Sequence, residues 1–158
     1  MSVEKVRAYL EQFGCADRIR EFDVSSATVA LAAQALGCEE KRIAKSMAFD
    51  VSGETVLVVA AGDVKIDNAK FKGAFAAKAR MLRPDQLEER VGYPMGGVCP
   101  FGVNEGVKVY LDESLKRFDT VYPACGTGNS AICLTPEELE RMGGALGWVD
   151  VCKEAVTA

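Results

Sequence analysis

The sequence predicts an α+β fold, a compact mixed sheet with helices packed around it. Three observations carry that prediction. Residues 43–50 (IAKSMAFD) and 55–61 (TVLVVAA) are apolar, strand-forming runs split by the turn VSGE, which reads as a hairpin. Helical patterns lie before and after it, but strands and helices interleave irregularly, without the βαβ repeat of a doubly wound sheet. The length of 158 residues, about half of them hydrophobic, fits one domain over residues 1–158 with a single core.

The elements follow in order. Val3, Val6, Leu10 and Phe13 recur at helical spacing and Gly14 ends that helix. Residues 19–24 read as a short strand. In SSATVALAAQALG, Ser25 or Ser26 caps a helix that Gly37 stops. Residues 39–42 form a polar turn before the hairpin. A helix is expected from DNAKFKGAF on to Ala79, then a strand edge over 80–82. RPDQLEERVG is a helix with Pro84 in its first turn and Gly92 at its end. GVKVYLDES is a strand and turn, and residues 118–122 are another short strand. GTGNSAICLTP is a glycine-rich turn into a strand, and TPEELERMGGAL is a capped helix.

Composition excludes several kinds of chemistry. The chain has no histidine, which removes Ser-His-Asp and Cys-His nucleophilic machinery and the usual general base near neutral pH. Its six cysteines form no CxxC pair and match no zinc spacing, so they read as reduced thiols and small buried hydrophobes. No cofactor or metal is implied. No apolar run is long enough for a membrane span, and the N-terminus lacks a signal-peptide core, so a cytoplasmic protein is expected. The net charge of −4 gives no global attraction to nucleic acid. Yet residues 64–83 carry Lys65, Lys70, Lys72, Lys78, Arg80 and Arg83 against Asp67 alone, enough to hold a few phosphates or simply to solvate a helix face.

Local motifs leave choices open. GTGNS lacks the lysine and spacing of a phosphate loop and reads equally as a tight turn or a binding loop. Lys45, flanked by apolar residues, either snorkels to the surface or stands at a pocket rim facing an anion, with Ser46 beside it as a hydrogen-bond donor. In YPMGGVCPFGV, Gly96 and Gly97 permit either a simple turn or a close backbone approach to a ligand.

Taken in order, RIAKSMAF, ETVLVVAAGDVKID, GGVCPFGV, VYLDESL and the glycine-rich turn before CLTPEEL resemble the YbaK/EbsC family over residues 22–139. These are aminoacyl-tRNA deacylases related to the editing domain of bacterial prolyl-tRNA synthetases. The resemblance implies trans-editing: hydrolysis of the ester joining a mischarged small amino acid to the 3′-terminal adenosine, here of tRNA-Pro. Lys45 matches the pocket lysine that holds the terminal phosphates or adenosine. Residues 96–100 match the family's GxxxP loop, so Gly96, Gly97 and Val98 are the expected backbone donors, with Pro100 fixing the loop. Val29, Ser46, Met47, Pro100, Cys125 and Gly126 are expected to contact the substrate, and Lys65, Lys70 and Lys72 the acceptor stem. Asp63 is expected to be structural or supporting. The chain departs from alanyl-specific relatives, holding Tyr122-Pro123 and Gly126-Thr127 where they carry His-Pro and Asn-Thr. A prolyl-tRNA synthetase is a possible partner; a membrane is not. Two other readings stand beside this one: a non-catalytic module binding a tRNA end or nucleotide, and a thiol enzyme acting through Cys99 or Cys125.

Overall fold

The computed structural model describes residues 2–155. A five-stranded mixed sheet runs in the order β6-β2-β3-β5-β8, with β2 at Ile43–Val51, β3 at Glu54–Ala61, β5 at Lys108–Asp112, β6 at Tyr122–Pro123 and β8 at Gly147–Val149. The β2–β3 hairpin is antiparallel and every other neighbour in this sheet is parallel. Two small antiparallel ribbons stand beside it: β1 (Arg20–Glu21) with β7 (Ser130–Ala131), and β4 (Val64–Ile66) with β9 (Cys152–Glu154). The described helices are α1 (Ser2–Glu11), α2 (Val29–Leu36), α3 (Asn68–Phe75), α4 (Pro84–Arg90) and α5 (Pro136–Met142).

The central strand explains the pattern of its sequence. β3 is buried from Thr55 to Ala61, and a strand covered on both faces needs a continuous apolar run rather than an alternation. α1 buries Val6 and Leu10, the 3.6-period stripe read from the sequence. On one face of β2, Phe49 stacks against Phe71 of α3 with ring centroids 4.7 Å apart, and Phe71 meets Phe75 at the same separation.

Several expectations shift in detail. The strand expected over 19–24 contracts to Arg20–Glu21, because its partner β7 offers only two residues. The cap of α2 is Thr28, whose hydroxyl accepts from the Leu31 N–H at 3.1 Å, and neither Ser25 nor Ser26 does this work. The basic helix stops at Phe75 instead of Ala79, because Ala76 turns left-handed at φ 56°. The strand expected over 118–122 begins only at Tyr122, with Val121 bridging Leu134. β4, β8 and β9 were not legible: each is three residues long and is defined by its partner.

Candidate active site

The site grows from an interruption in the sheet edge. On the side of β2 away from β3, β6 covers residues 43–44 and the segment 80–82 covers residues 48–50. Residues 45–47 lie between these two partners. The Leu82 N–H donates to the Ala48 carbonyl at 2.9 Å and the Asp50 N–H to the Arg80 carbonyl at 2.9 Å. Even-numbered residues of β2 therefore turn their backbone groups to this edge, and the strand's alternation turns those of Ser46 into the gap.

A cavity of about 360 Å³ opens there. That volume falls in the range of small-ligand sites. One wall is the start of α2, with Ser26, Ala27, Thr28 and Val29; another is Leu82, Pro84 and Leu87; the loop residues Met95, Gly96 and Val98 face them. Met81 and Met95 remain exposed at 59% and 69%, so the rim is apolar as well as the interior. The polar side chains on the lining are Ser26, Thr28, Lys45, Ser46, Tyr122 and Ser130, and no carboxylate is among them.

Lys45 is partly buried and its ammonium donates to the carbonyl of Val64 in β4. Desolvation lowers its pKa below the ordinary lysine value, opposed by the fields of Cys152 and Asp63. Asp63 itself is committed to Arg117, with oxygen–nitrogen distances of 2.6 and 3.1 Å, and that pairing holds its carboxyl below the usual range. Asp63 thus ties to Arg117 while its field reaches Lys45.

The loop of residues 93–101 is pinned from within. Tyr93 is wholly buried and its hydroxyl donates to the Phe101 carbonyl. Gly96 takes φ +89°, and an added Cβ there would lie 2.9 Å from the Ala27 Cβ, so the loop touches the start of α2. Gly97 presses on the glycine-rich turn: its Cβ would lie 2.4 Å from the Gly126 carbonyl carbon and 2.6 Å from the Thr127 nitrogen. The close approach legible in Gly-Gly is therefore, at Gly97, an approach to another loop.

The structure brings Lys45, Ser46, Met47, Val29, Gly96 and Val98 together on the cavity lining. It leaves four expected residues off it. The Gly97 N–H already donates to the Pro94 carbonyl at 3.0 Å. Pro100 is buried against Gly143, where an added Cβ would meet its ring at 3.1 Å. Cys125 is fully buried, and Gly126 is the surface on which Gly97 rests. Burial also pushes the Cys99 and Cys125 thiols well up, the reverse of what a thiolate nucleophile needs. Of the basic residues, Lys65 is exposed on β4, next to the residue that holds Lys45, and Lys72 is exposed on α3. Lys70 is tied to Asp150 at 3.1 Å and to the Cys152 carbonyl at 3.0 Å.

Sequence reasoning missed Ser26, Leu87, Met95 and Lys153. Lys153 lies directly across from Lys65 in the β4–β9 ladder, a like-charge pair that only the fold reveals. Ser26 was assigned to helix capping, and nothing in SSAT marks Thr28 as the residue that takes that role instead.

The fold and the site define an α+β domain in which the open edge of a mixed sheet, a desolvated lysine and a glycine loop converge on one apolar cavity. The chain belongs to the aminoacyl-tRNA editing domain family, whose family model matches residues 24–142. It is 51% identical over 155 residues to the uncharacterized protein YwhH of Bacillus subtilis, covering 98% of this chain and 99% of that one. It is 31% identical over 110 residues to the Enterococcus faecalis protein named "Putative Cys-tRNA(Pro)/Cys-tRNA(Cys) deacylase EbsC", covering 68% of this chain and 66% of that one. Among solved structures it matches "a putative trans-editing enzyme for prolyl tRNA synthetase" with TM-score 0.87 and 31% identity, over 96% of this chain and 97% of the other. The resemblance to YbaK/EbsC deacylases read from the motifs is thus supported by both kinds of relative. Among the described residues, no helix is long and apolar enough to cross a membrane.

Proposed function

We propose that the protein is a trans-editing deacylase that hydrolyses a small amino acid from mischarged tRNA, with tRNA-Pro the first candidate. The observation that carries this is the gap at residues 45–47 of β2, where backbone groups and a desolvated lysine meet an apolar cavity. The aminoacyl side chain enters the cavity and the 3′-adenosine stays at the rim, near Met81 and Met95. Lys45 holds a phosphate or the adenosine. The Ser46 edge and the Gly96 and Val98 backbone polarise the ester carbonyl. A water oxygen bonds to the carbonyl carbon, the ester C–O bond breaks, and its electron pair goes to the ribose oxygen. The proton given up by the attacking water passes to that oxygen by way of the vicinal hydroxyl, giving free amino acid and uncharged tRNA. An oriented ester and a polarised carbonyl supply much of such a rate enhancement, so no protein nucleophile is required. The names of the EbsC relative and the matched structure favour tRNA-Pro.

The test is a panel of tRNA-Pro charged with Ala, Cys, Ser or Thr. Release of free amino acid from at least one, strongly reduced in Lys45→Ala at subsaturating tRNA, is the expected result. The lining's lack of any carboxylate favours a second reading, a binding module of the same fold. Binding without turnover across the whole panel would select that module and reject the deacylase.

A further inference from the structure

Among the described residues, two side-chain oxygens stand out because they are buried without a hydrogen-bond partner: the hydroxyls of Ser26 and Ser46. Both residues line the cavity, and Ser26 is only 7% exposed. They come from distant parts of the chain, one before α2 and one in β2.

The neighbours of Ser26 show that its isolation is specific. The Ser25 hydroxyl accepts from the Ala27 N–H at 3.2 Å, and the Thr28 hydroxyl caps α2 at 3.1 Å. Also on the lining, the Ser130 hydroxyl accepts from the Thr127 hydroxyl at 2.7 Å. Each of these has a structural task. Ser26 is fixed by its backbone alone, its N–H donating to the Gly128 carbonyl at 2.6 Å. A hydroxyl buried without a partner is unfavourable, so its presence at two points of one cavity calls for a ligand that completes it.

We propose that Ser26 and Ser46 form a hydrogen-bonding subsite that selects an aminoacyl group carrying a side-chain hydroxyl, serine or threonine, over its apolar counterpart. This rests on the reading that the cavity receives the aminoacyl group. The chemistry of the lining favours this class. Neutral hydroxyls in an apolar enclosure match a neutral donor–acceptor, whereas a cationic side chain would need a carboxylate that the lining does not supply, and Lys45, the cation on the lining, is already given to the Val64 carbonyl. The substrate's α-ammonium lies next to the ester, where the Ser46 carbonyl at the sheet edge is available to it. The two hydroxyls, Ser26 on the α2 wall and Ser46 on β2, are left for the side chain. Size alone separates serine from alanine poorly, but a site whose buried polar groups go unpaired rejects the analogue that lacks the hydroxyl.

The experiment compares kcat/KM of the full chain on one tRNA charged with serine or alanine, and with threonine or valine. The hydroxyl member of each pair is expected to be favoured by about tenfold or more, in the direction set by unpaired polar groups. Ser26→Ala and Ser46→Ala are each expected to shrink that ratio severalfold, a change that a merely structural role would not produce. Equal rates in wild type, or a ratio untouched in both variants, overturn the proposal while leaving the deacylase reading intact. If no charged tRNA is hydrolysed, the deacylase reading falls, and calorimetry with 3′-seryl- and 3′-alanyl-amino-3′-deoxyadenosine amides decides the subsite. Tighter binding of the seryl amide, lost in Ser26→Ala, supports it; equal binding, or none, overturns it.

Discussion

Lys45 is held by the Val64 carbonyl on one side and desolvated on the other, so its ammonium gives up its proton more readily than that of a free lysine. An amine loses its proton as pH rises through its pKa, and here that value is lowered. Activity that depends on the ammonium should therefore fall on the alkaline side sooner than an ordinary lysine would impose. A profile of kcat/KM, corrected for spontaneous ester hydrolysis, should show that limb, and Lys45→Arg should move it out of range. Lys45→Ala should lower kcat/KM by about 10- to 100-fold, mainly through KM, the range for loss of one hydrogen bond to a charged group, with the far-UV spectrum unchanged. Ser26 makes the opposite kind of prediction. Removing an unpartnered buried hydroxyl relieves a desolvation penalty of about 1–3 kcal/mol. Ser26→Ala should thus raise the Tm by a few degrees, and a clear drop in the melt would show that this hydroxyl has a structural partner after all.

At the scale of elements, two docking points can be tested without substrate. α5 opens with a reciprocal cap in which the Thr135 hydroxyl accepts from the Glu138 N–H at 3.1 Å and Glu138 accepts from the Thr135 N–H at 2.9 Å. Glu138 also meets Arg18 at 2.8 Å, and this bond, followed by the Thr135 amide, holds its carboxyl down to about 2 from the ordinary 4.5. The stability it contributes is complete above pH 4.5 and is lost as pH falls towards 2. Glu138→Gln should flatten the acid side of the stability curve across that window, measured by urea unfolding. The second point is Gly97, where a methyl group would overlap the Gly126 backbone at 2.4–2.5 Å. Gly97→Ala should separate the two loops, cost about 1–3 kcal/mol as overpacking does, and remove activity along with the cavity wall. The TPEE cap was legible because its spacing is local. The Gly97 contact was legible only as a need for space, because nothing in GG says which atoms occupy it.

The same division between local and long-range information runs through the whole molecule. The β2–β3 hairpin, α5 and the Gly37 stop were readable from periodicity and turn chemistry. The cavity was readable in part, through Lys45, Ser46 and the glycine loop, and only as an ordered resemblance. What escaped was whatever needs two distant segments to meet: the β4–β9 ribbon, the edge gap between residues 43–44 and 48–50, and the pairing of Lys65 with Lys153. That last pairing bears on how an acidic chain, net charge −4, would hold a polyanion. Two lysines directly opposed in an antiparallel ladder repel one another, and a phosphate between them reverses the sign. Lys65 follows Val64, whose carbonyl holds Lys45, so the ribbon that carries this pair also holds a residue of the cavity lining. Lys70 is a weaker candidate, because its ammonium is already committed to Asp150. If the acceptor stem lies over β4 and β9, KM should rise with salt between about 50 and 200 mM, with a log–log slope close to the number of phosphates held. Lys65→Ala and Lys153→Ala should each reduce that slope by about one and leave kcat nearly unchanged, whereas Lys70→Ala should alter it little. An unchanged slope in the Lys65→Ala, Lys153→Ala double variant would place the tRNA backbone on another face.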